Sequence, residues 1–340
     1  MKFAIIGAGN TGHAISAYLA SKNAEVTLYT RDPAKAKLIC AKGITSEGGV
    51  NGTFPVKATA DLADAVNDVE YIIIMTRANA HREIAVNLKP LISSGQTVIV
   101  FNSNWGALEF VQVLKEDVTC RNLTIAETSA QLFIANSPEP GVVRMNVKAE
   151  VGIAASDISK TAGLVETLSG FFPQFKVARS IIETTMATTN PVIHVPITIF
   201  NACRVENAQP FLFYTEGVSH KAIDLILKID QERIAVAKAL GFKIDDVLTG
   251  INSFWPIKYD NLFDALTKNE SYQKTVGPKS LDHRFITEDV PFGIAPISRV
   301  GKLYKIPTPY TDALLNYLEH VLPRAFVECK LSFSKEDFSQ

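Results

Sequence analysis

The sequence is poor in the features that mark secreted and metal-binding proteins. Its 340 residues include four cysteines, Cys40, Cys120, Cys203 and Cys329, which lie far apart and form no C-x-x-C pair. None has a histidine partner at metal-ligand spacing, so no metal site is expected. We interpret all four as buried, reduced thiols of a cytoplasmic protein.

An excess of charge of one sign and a long apolar run are also lacking. The 34 lysines and arginines nearly balance 35 acidic residues, and no dense cationic cluster occurs, so we expect no nucleic-acid partner. No apolar run is long enough to span a membrane, and no membrane association is expected. The segment Met1–Ile6 predicts a short strand that enters a glycine turn, not a signal peptide.

The chain does contain a regular alternation of strand and helix patterns in its first half. An apolar composition of 47% with 20% charged residues is typical of an ordered protein, and the length allows two adjoining cores. Strands are predicted at 3–6, 25–29, 70–76 and 96–101 and near Leu123 and Val151, and helices at 12–21, 33–41, 61–66 and 78–88. Residues 43–55, rich in Gly, Ser and Asn, predict a hairpin or loop. The alternation predicts an α/β fold, a doubly wound Rossmann sheet.

The second half has longer helical patterns, most clearly at 219–240. Pro and Gly punctuate 278–309, where we expect loops to dominate. The sequence therefore predicts a nucleotide-binding domain at 1–182 and a mainly helical domain at 183–340. A cleft between two such domains is the expected place of the active site.

A glycine motif directly follows the first predicted strand and opens the first helix. It consists of Gly7, Ala8, Gly9, Asn10, Thr11 and Gly12. In this context G-x-G-x-x-G predicts dinucleotide binding: the glycines allow a tight turn, approach of the pyrophosphate, and close packing of helix on strand. Free N–H groups at the helix N-terminus would bind the phosphates.

The end of the second strand bears on the choice between NADPH and NADH. Thr30 stands where an acidic residue would bind the ribose of NAD, and Arg31 can stack on adenine and pair with a phosphate. These residues favour NADP (NADPH). NAD stays open because Asp32 could rotate in, and Arg31 could instead sit at a surface turn with Asp32 as the N-cap of the next helix.

Two later segments carry the candidate chemistry. Asn190 and His194 are four residues apart, so on a helix they share one face. Arg284 and Asp289 lie in a charged stretch that ends abruptly in apolar residues. A carboxylate there could orient an imidazole for general acid/base catalysis, and the arginine could bind a substrate carboxylate. Alternatively, His194 is a core residue and the charged stretch is a solvated loop.

These residues resemble opine dehydrogenases of the octopine/nopaline type. The resemblance covers nearly the whole chain, and its specific parts are the Asn190/His194 pair and the segment from Asp289 to Gly293. Further similar segments are 126–128, 198–202, 213–217, 229–241, 284–296 and 307–309.

The resemblance implies reductive condensation of an amino acid with a 2-oxoacid by NAD(P)H, or the reverse oxidation. It implies that His194 exchanges the proton at the oxoacid carbonyl with Asp289 as its dyad partner, and that Arg284 binds a carboxylate. Asn190 would lie near the nicotinamide or support the histidine. Weaker oxoacid contacts would be Asn104 and Thr128, although the loop at 102–106 departs from the Pro-Gly start more familiar in the family. Helical second domains of this kind often dimerise, but the sequence does not decide it, so homodimerisation is left open.

Two other hypotheses compete with an opine dehydrogenase activity. A ketopantoate-type or other 2-hydroxyacid reductase would share the Rossmann domain, but that group uses a lysine at the domain junction, and none occurs between Ile181 and His194. A nucleotide-sensing scaffold without chemistry would not need His194, Arg284 and Asp289 together. Neither the amino acid nor the oxoacid, with pyruvate and 2-oxoglutarate both open, follows from the sequence.

Overall fold

The computed structural model describes residues 1–101, 104–322 and 331–338, without the side chains of residues 119 and 120. The chain divides into two compact units, Met1–Thr185 and Met186–Gln340. We call them the N-terminal and C-terminal units. The sequence-based boundary lay at residue 182.

The N-terminal unit alternates strands with helices. Its strands are β1 (Lys2–Ile6), β2 (Glu25–Tyr29), β3 (Ile44–Gly48), β4 (Gly52–Phe54), β5 (Lys57–Thr59), β6 (Tyr71–Ile74), β7 (Thr97–Val100), β8 (Thr124–Thr128), β9 (Phe133–Asn136), β10 (Val142–Val147), β11 (Val151–Ala155) and β12 (Phe175–Val177). Its helices are α1 (Asn10–Ala20), α2 (Pro33–Lys42), α3 (Leu62–Val66), α4 (His81–Leu88), α5 (Gly106–Val113), α6 (Lys115–Cys120), α7 (Thr161–Leu168) and α8 (Ile181–Met186), at whose end the division falls.

Eight of these strands form one sheet in the order β12-β11-β8-β7-β6-β1-β2-β5. The six strands from β8 to β5 are parallel, and β11 pairs with β8 in the antiparallel sense. The strand order reverses between β1 and β6, and ligands of doubly wound sheets bind at the carboxyl ends of the strands at such a point. The predicted α/β Rossmann fold with a helical second part is confirmed.

A second sheet of four strands, in the order β4-β3-β10-β9, was not predicted. The β3–β4 hairpin lies within the predicted hairpin or loop at 43–55, whereas β9 and β10 were missed. The small sheet packs on α1, which also contacts β1 and β2 of the large sheet. Because both sheets cover α1, every residue from Gly12 to Leu19 is buried. The helix therefore has no solvent-exposed face that would need polar residues.

The C-terminal unit is helical. It contains α9 (Asn190–Phe200), α10 (Ala202–Glu206), α11 (His220–Ala239), α12 (Val247–Phe254), α13 (Leu262–Thr267), α14 (Arg284–Thr287), α15 (Ala295–Tyr304) and α16 (Pro309–Val321), with a π-helical segment at Val290–Ile294 between α14 and α15.

The prediction that loops dominate 278–309 was wrong. Helical structure runs from Arg284 to Tyr304 with only a short interruption. The prolines that suggested loops lie in the first turns of helical segments: Pro291 in the π-helical segment and Pro296 in α15. Pro291 lies just after that interruption, where a proline N–H has no helical partner to lose.

The prediction of buried cysteines was also wrong where the structure describes them. Cys40, in α2, and Cys203, in α10, are free and exposed. The side chain of Cys120 and all of Cys329 lie outside the described residues. Among the helices that the structure describes, none is both long and apolar enough to cross a membrane.

Candidate active site

Helix α9 places two of the predicted site residues on one face. Asn190 begins the helix, Pro191 follows it, and His194 comes one turn later. Pro196 lies inside the helix and cannot donate to the carbonyl one turn earlier. His194 is buried, with 4% of its surface exposed, so the direction of its ring is set by its protein partners.

The first partner of His194 is Asp289. Their Nδ1 and Oδ2 atoms are 2.7 Å apart, and both side chains are almost completely buried. A carboxylate can only accept, so the Nδ1 atom carries the hydrogen, and Nε2 is left to exchange a proton. The alternative that Asp289 belongs to a solvated surface loop is therefore excluded.

Gly293 explains how the two segments come so close. A Cβ atom at Gly293 would lie 2.3 Å from Cβ and Cγ of Pro191. Only glycine allows the π-helical segment that follows Asp289 to pack against the first turn of α9. The motifs around His194 and Asp289 are thus two sides of one packing contact.

The second partner of His194 is Tyr214, which the sequence analysis did not identify. Its hydroxyl group lies 3.0 Å from Nε2 of His194. Burial, more than the neighbouring Tyr272 and Asp289, raises the pKa of Tyr214 well above its ordinary value. The segment 213–217 was noticed only for its family resemblance, since nothing local to a tyrosine in a loop predicts this contact.

Aromatic side chains enclose the imidazole. The ring of Phe285 stacks on His194 at a centroid distance of 4.1 Å, and Phe213 meets it edge-on at 5.9 Å. Such apolar walls lower the local dielectric constant and strengthen the charged hydrogen bond to Asp289.

Arg284 lies beside this group but is less buried. Its side chain is 41% exposed, and Nη1 is 3.8 Å from Oε2 of Glu288. The guanidinium group lies over the ring of Phe285, 5.5 Å from its centroid. Its charge also acts on Tyr214, whose pKa it lowers against the larger effect of burial. Arg284 therefore brings a partly exposed cation to the edge of the His194 site.

The predicted nucleotide loop has the expected form. Gly7 has a φ angle of +118°, and a Cβ at Gly12 would lie 1.8 Å from the carbonyl oxygen of Gly7. Apart from Gly9 and its two chain neighbours, no atom of the described residues lies within 4 Å of the place where Gly9 would carry a Cβ. The loop is closed tightly by Gly12 and leaves free space at Gly9, where a phosphate can approach the backbone. Thr11 is half-buried in the first turn of α1.

Contacts that the sequence analysis missed hold this loop. Oδ1 of Asn10 accepts a hydrogen bond from the backbone of Ser137 at 3.1 Å. Nδ1 of His13 bonds the Gly9 carbonyl oxygen at 2.9 Å, and Nε2 accepts from the backbone of Gly141 at 3.2 Å. Burial lowers the pKa of His13. The unpredicted small sheet therefore supports the nucleotide loop.

The residues after β2 are arranged around the N-terminus of α2. Oδ1 of Asp32 accepts from Ala34 at 2.9 Å and Lys35 at 3.2 Å, so Asp32 is the N-cap. Thr30 is buried, and Arg31 is exposed. The Lys35 ammonium group lies 3.4 Å from the carbonyl oxygen of Ala8, which brings a cation to the loop.

The weaker oxoacid candidates lie at the ends of two neighbouring strands. Asn104 follows β7 in a left-handed conformation (φ 53°), and its buried Oδ1 atom has no hydrogen-bond partner in the described part of the chain. Thr128 ends β8 and donates its hydroxyl hydrogen to the Ala130 carbonyl oxygen at 2.9 Å.

The structure thus collects the predicted residues into two groups. His194, Asp289, Arg284 and Asn190 belong to the C-terminal unit, and the nucleotide residues, Asn104 and Thr128 belong to the N-terminal unit.

Comparison with known proteins separates the candidate families. Residues 177–322 match the family model of the NAD/NADP octopine/nopaline dehydrogenase alpha-helical domain, and residues 3–155 match that of ketopantoate reductase PanE/ApbA. An opine dehydrogenase of Arthrobacter sp. (strain 1C) is 34% identical, in an alignment that covers 95% of this chain and 91% of the relative. The chain belongs to the opine dehydrogenase family.

Solved structures show the family fold. An octopine dehydrogenase in complex with NADH and agmatine has a TM-score of 0.78 at 20% identity, covering 95% of this chain and 90% of that one. A yersinopine dehydrogenase with NADP+ bound has a TM-score of 0.72 at 12% identity, covering 99% and 96%. The predicted family is confirmed, as is the activity: an NAD(P)-dependent oxidoreductase that condenses an amino acid with a 2-oxoacid or runs in reverse.

Proposed function

We propose that His194 is the acid/base residue of this reductive condensation. The observation that carries the proposal is the buried 2.7 Å hydrogen bond between Nδ1 of His194 and Oδ2 of Asp289. It fixes the imidazole so that Nε2 can give or take a proton, and the carboxylate stabilises the protonated ring. Condensation of an amine with a carbonyl releases water, and the leaving oxygen needs the proton that Nε2 can supply.

The nicotinamide cofactor supplies the hydride when it is bound. The loop from Gly7 to Gly12 fits its pyrophosphate, because Gly12 closes the turn and Gly9 leaves the backbone accessible. Ala8, Asn10 and Thr11 complete this loop and the first turn of α1. The free N–H groups of that turn would bind the phosphate oxygens.

Arg284 and Asn190 would hold the substrate at His194. The planar guanidinium group of Arg284 can bind a carboxylate through two hydrogen bonds, and its partial exposure leaves it accessible to one. Asn190, half-buried one turn before His194, offers an amide on the same helix face. The 2-oxoacid carries a carboxylate next to the reacting carbonyl carbon, and the amino acid carries one on the carbon that bears the reacting amine.

Asn104 is supported as an oxoacid contact by its buried Oδ1 atom, which lacks a partner in the described residues. Such an atom costs free energy unless a ligand or water bonds it. Thr128 is supported less well, because its hydroxyl hydrogen is directed to Ala130. Its oxygen can still accept a hydrogen bond.

We propose NADPH as the preferred cofactor. Asp32 caps α2 through Oδ1, so rotating towards a ribose would cost that cap. Thr30 is neutral, Arg31 follows it directly after β2, and Lys35 lies at the loop, so two cations can serve a 2′-phosphate.

The test follows NADPH and NADH absorbance with pyruvate or 2-oxoglutarate, each with and without a pool of amino acids. We expect oxidation that depends on the amino acids and is faster with NADPH. Oxidation by the oxoacid alone would favour the second candidate, a 2-hydroxyacid reductase, which the match of residues 3–155 to ketopantoate reductase supports. His194→Ala should abolish either activity.

A further inference from the structure

Both nitrogen atoms of His194 have partners, Asp289 at Nδ1 (2.7 Å) and Tyr214 at Nε2 (3.0 Å). Nε2 is the atom that the proposed reaction uses, and the inference rests on that proposed function. We propose that Tyr214 is a positioning residue: its hydroxyl group holds Nε2 of His194 in line for proton transfer and stabilises the imidazole in both of its protonation states.

The positions of the hydrogen atoms on His194 and Tyr214 support this role. Because Asp289 fixes the hydrogen on Nδ1, a neutral His194 must accept the hydroxyl hydrogen of Tyr214 at Nε2. A protonated His194 instead donates from Nε2 to the phenol oxygen. A hydroxyl group can serve as donor and as acceptor, and burial keeps Tyr214 in its neutral form by raising its pKa.

The loop that carries Tyr214 is fixed on both sides. Phe213 donates its backbone N–H to the Thr275 carbonyl oxygen at 2.7 Å. After the tyrosine, Nδ2 of Asn201, at the end of α9, donates to the Gly217 carbonyl oxygen at 2.7 Å. These two hydrogen bonds fix the backbone on either side of Tyr214. One of them comes from the end of α9, the helix that carries His194.

The surroundings of Tyr214 provide a matched control. Its ring packs on Tyr272 with centroids 4.7 Å apart, and the Tyr272 hydroxyl accepts a hydrogen bond from Nε1 of Trp255 at 3.2 Å. The charged groups that act on this region are Asp289 and Arg284. Tyr272→Phe thus removes a buried phenol oxygen from the same aromatic cluster, but this oxygen is not the one bonded to His194.

The experiment compares Tyr214→Phe and Tyr272→Phe by nitrogen NMR of the imidazole and by the pH dependence of kcat. In Tyr214→Phe, a protonated Nε2 loses its acceptor. Charged hydrogen bonds are the stronger ones, so we expect His194 to titrate about 0.5–1 pH unit lower. We expect kcat to fall about 10-fold with little change in KM. Tyr272→Phe should leave the His194 nitrogen signals unchanged.

If Tyr214→Phe leaves the His194 titration and kcat unchanged, the proposal is overturned and Tyr214 contributes only to packing. A second measurement uses the wild-type protein: a coupling between the Tyr214 hydroxyl hydrogen and Nε2 is expected, and its absence at low temperature counts against the hydrogen bond even if the variant does not fold. Failure of the proposed function would look different, since His194→Ala would then retain its activity, while the NMR result for Tyr214 would stand.

Discussion

Gly293 packs directly against Pro191, so closely that a Cβ atom would lie 2.3 Å from the proline ring. Through this contact the π-helical segment Val290–Ile294 reaches the first turn of α9. The hydrogen bond between His194 and Asp289 therefore depends on a residue that has no functional group.

We expect Gly293→Ala to destabilise the protein by about 1–3 kcal/mol, because an added methyl group must displace Pro191. The activity of the folded variant should also fall, because displacing Pro191 moves Asp289 away from His194. Denaturant unfolding and kcat measure the two effects. Gly163→Ala is the control and should stabilise slightly, because in the described part of the chain no atom outside α7 lies within 4 Å of the added Cβ. Equal stability of both variants would contradict the packing argument.

Asp289→Asn should lower kcat by about 10²–10⁴-fold. An amide cannot stabilise a protonated imidazole as a carboxylate does, and its NH2 group can hold the wrong tautomer. Steady-state kinetics measure the change, and KM for the cofactor should stay close to wild type because the nucleotide loop is untouched. Asp282→Asn, an exposed carboxylate on the same stretch of chain, serves as the control. A wild-type kcat in Asp289→Asn would remove the dyad from the mechanism.

Glu127 should be protonated in the folded protein at neutral pH. It is fully buried, Oε2 accepts from Ala107 at 2.9 Å, and Oε1 lies 3.0 Å from the Thr184 hydroxyl. That hydroxyl also lies 2.8 Å from the Ile181 carbonyl oxygen, which can only accept. A proton on Oε1 lets both contacts be hydrogen bonds. Burial raises the pKa of Glu127 to about 8.

Because the folded pKa lies above the unfolded value of 4.5, the Glu127 contribution to stability is complete below that value. It is lost as pH rises towards about 8, where the unfolded chain has released its proton. Glu127→Gln copies the protonated form, so it should be at least about 1 kcal/mol more stable than wild type at pH 8 and equal at pH 4.5. Unfolding at several pH values tests this, with exposed Glu166→Gln as the control. A pH-independent difference would refute it.

Arg31→Ala should raise KM for NADPH about 10- to 100-fold, the effect of losing a charged hydrogen bond to a phosphate. KM for NADH should change little, because NADH has no 2′-phosphate. Exposed Lys37→Ala, on helix α2 two turns or fewer beyond Arg31 in the chain, controls for general loss of positive charge. An equal loss for both cofactors would mean that Arg31 only contacts groups common to the two.

Local patterns were sufficient for most of the N-terminal unit. The apolar runs of β1 and β6 are buried along almost their whole length, and the glycine motif joins a strand to a helix, the context in which it predicts dinucleotide binding. Strand β10 was missed because its partner β3 is distant in sequence, and β9 pairs with β10. The helices within 278–309 were missed because proline signals were taken as breaks and not as helix starts.

The sequence by itself determined the fold class, the nucleotide loop and the identity of His194, Asp289 and Arg284 as candidates, because residue type and short spacing carry that information. Only the tertiary structure decided which atoms meet. The bond between Nδ1 of His194 and Asp289 joins residues 95 positions apart, and Tyr214 occupies Nε2 from a separate loop. Hydrogen bonds act over about 3 Å, and distances of that size between remote segments are set by packing contacts such as that of Gly293 on Pro191.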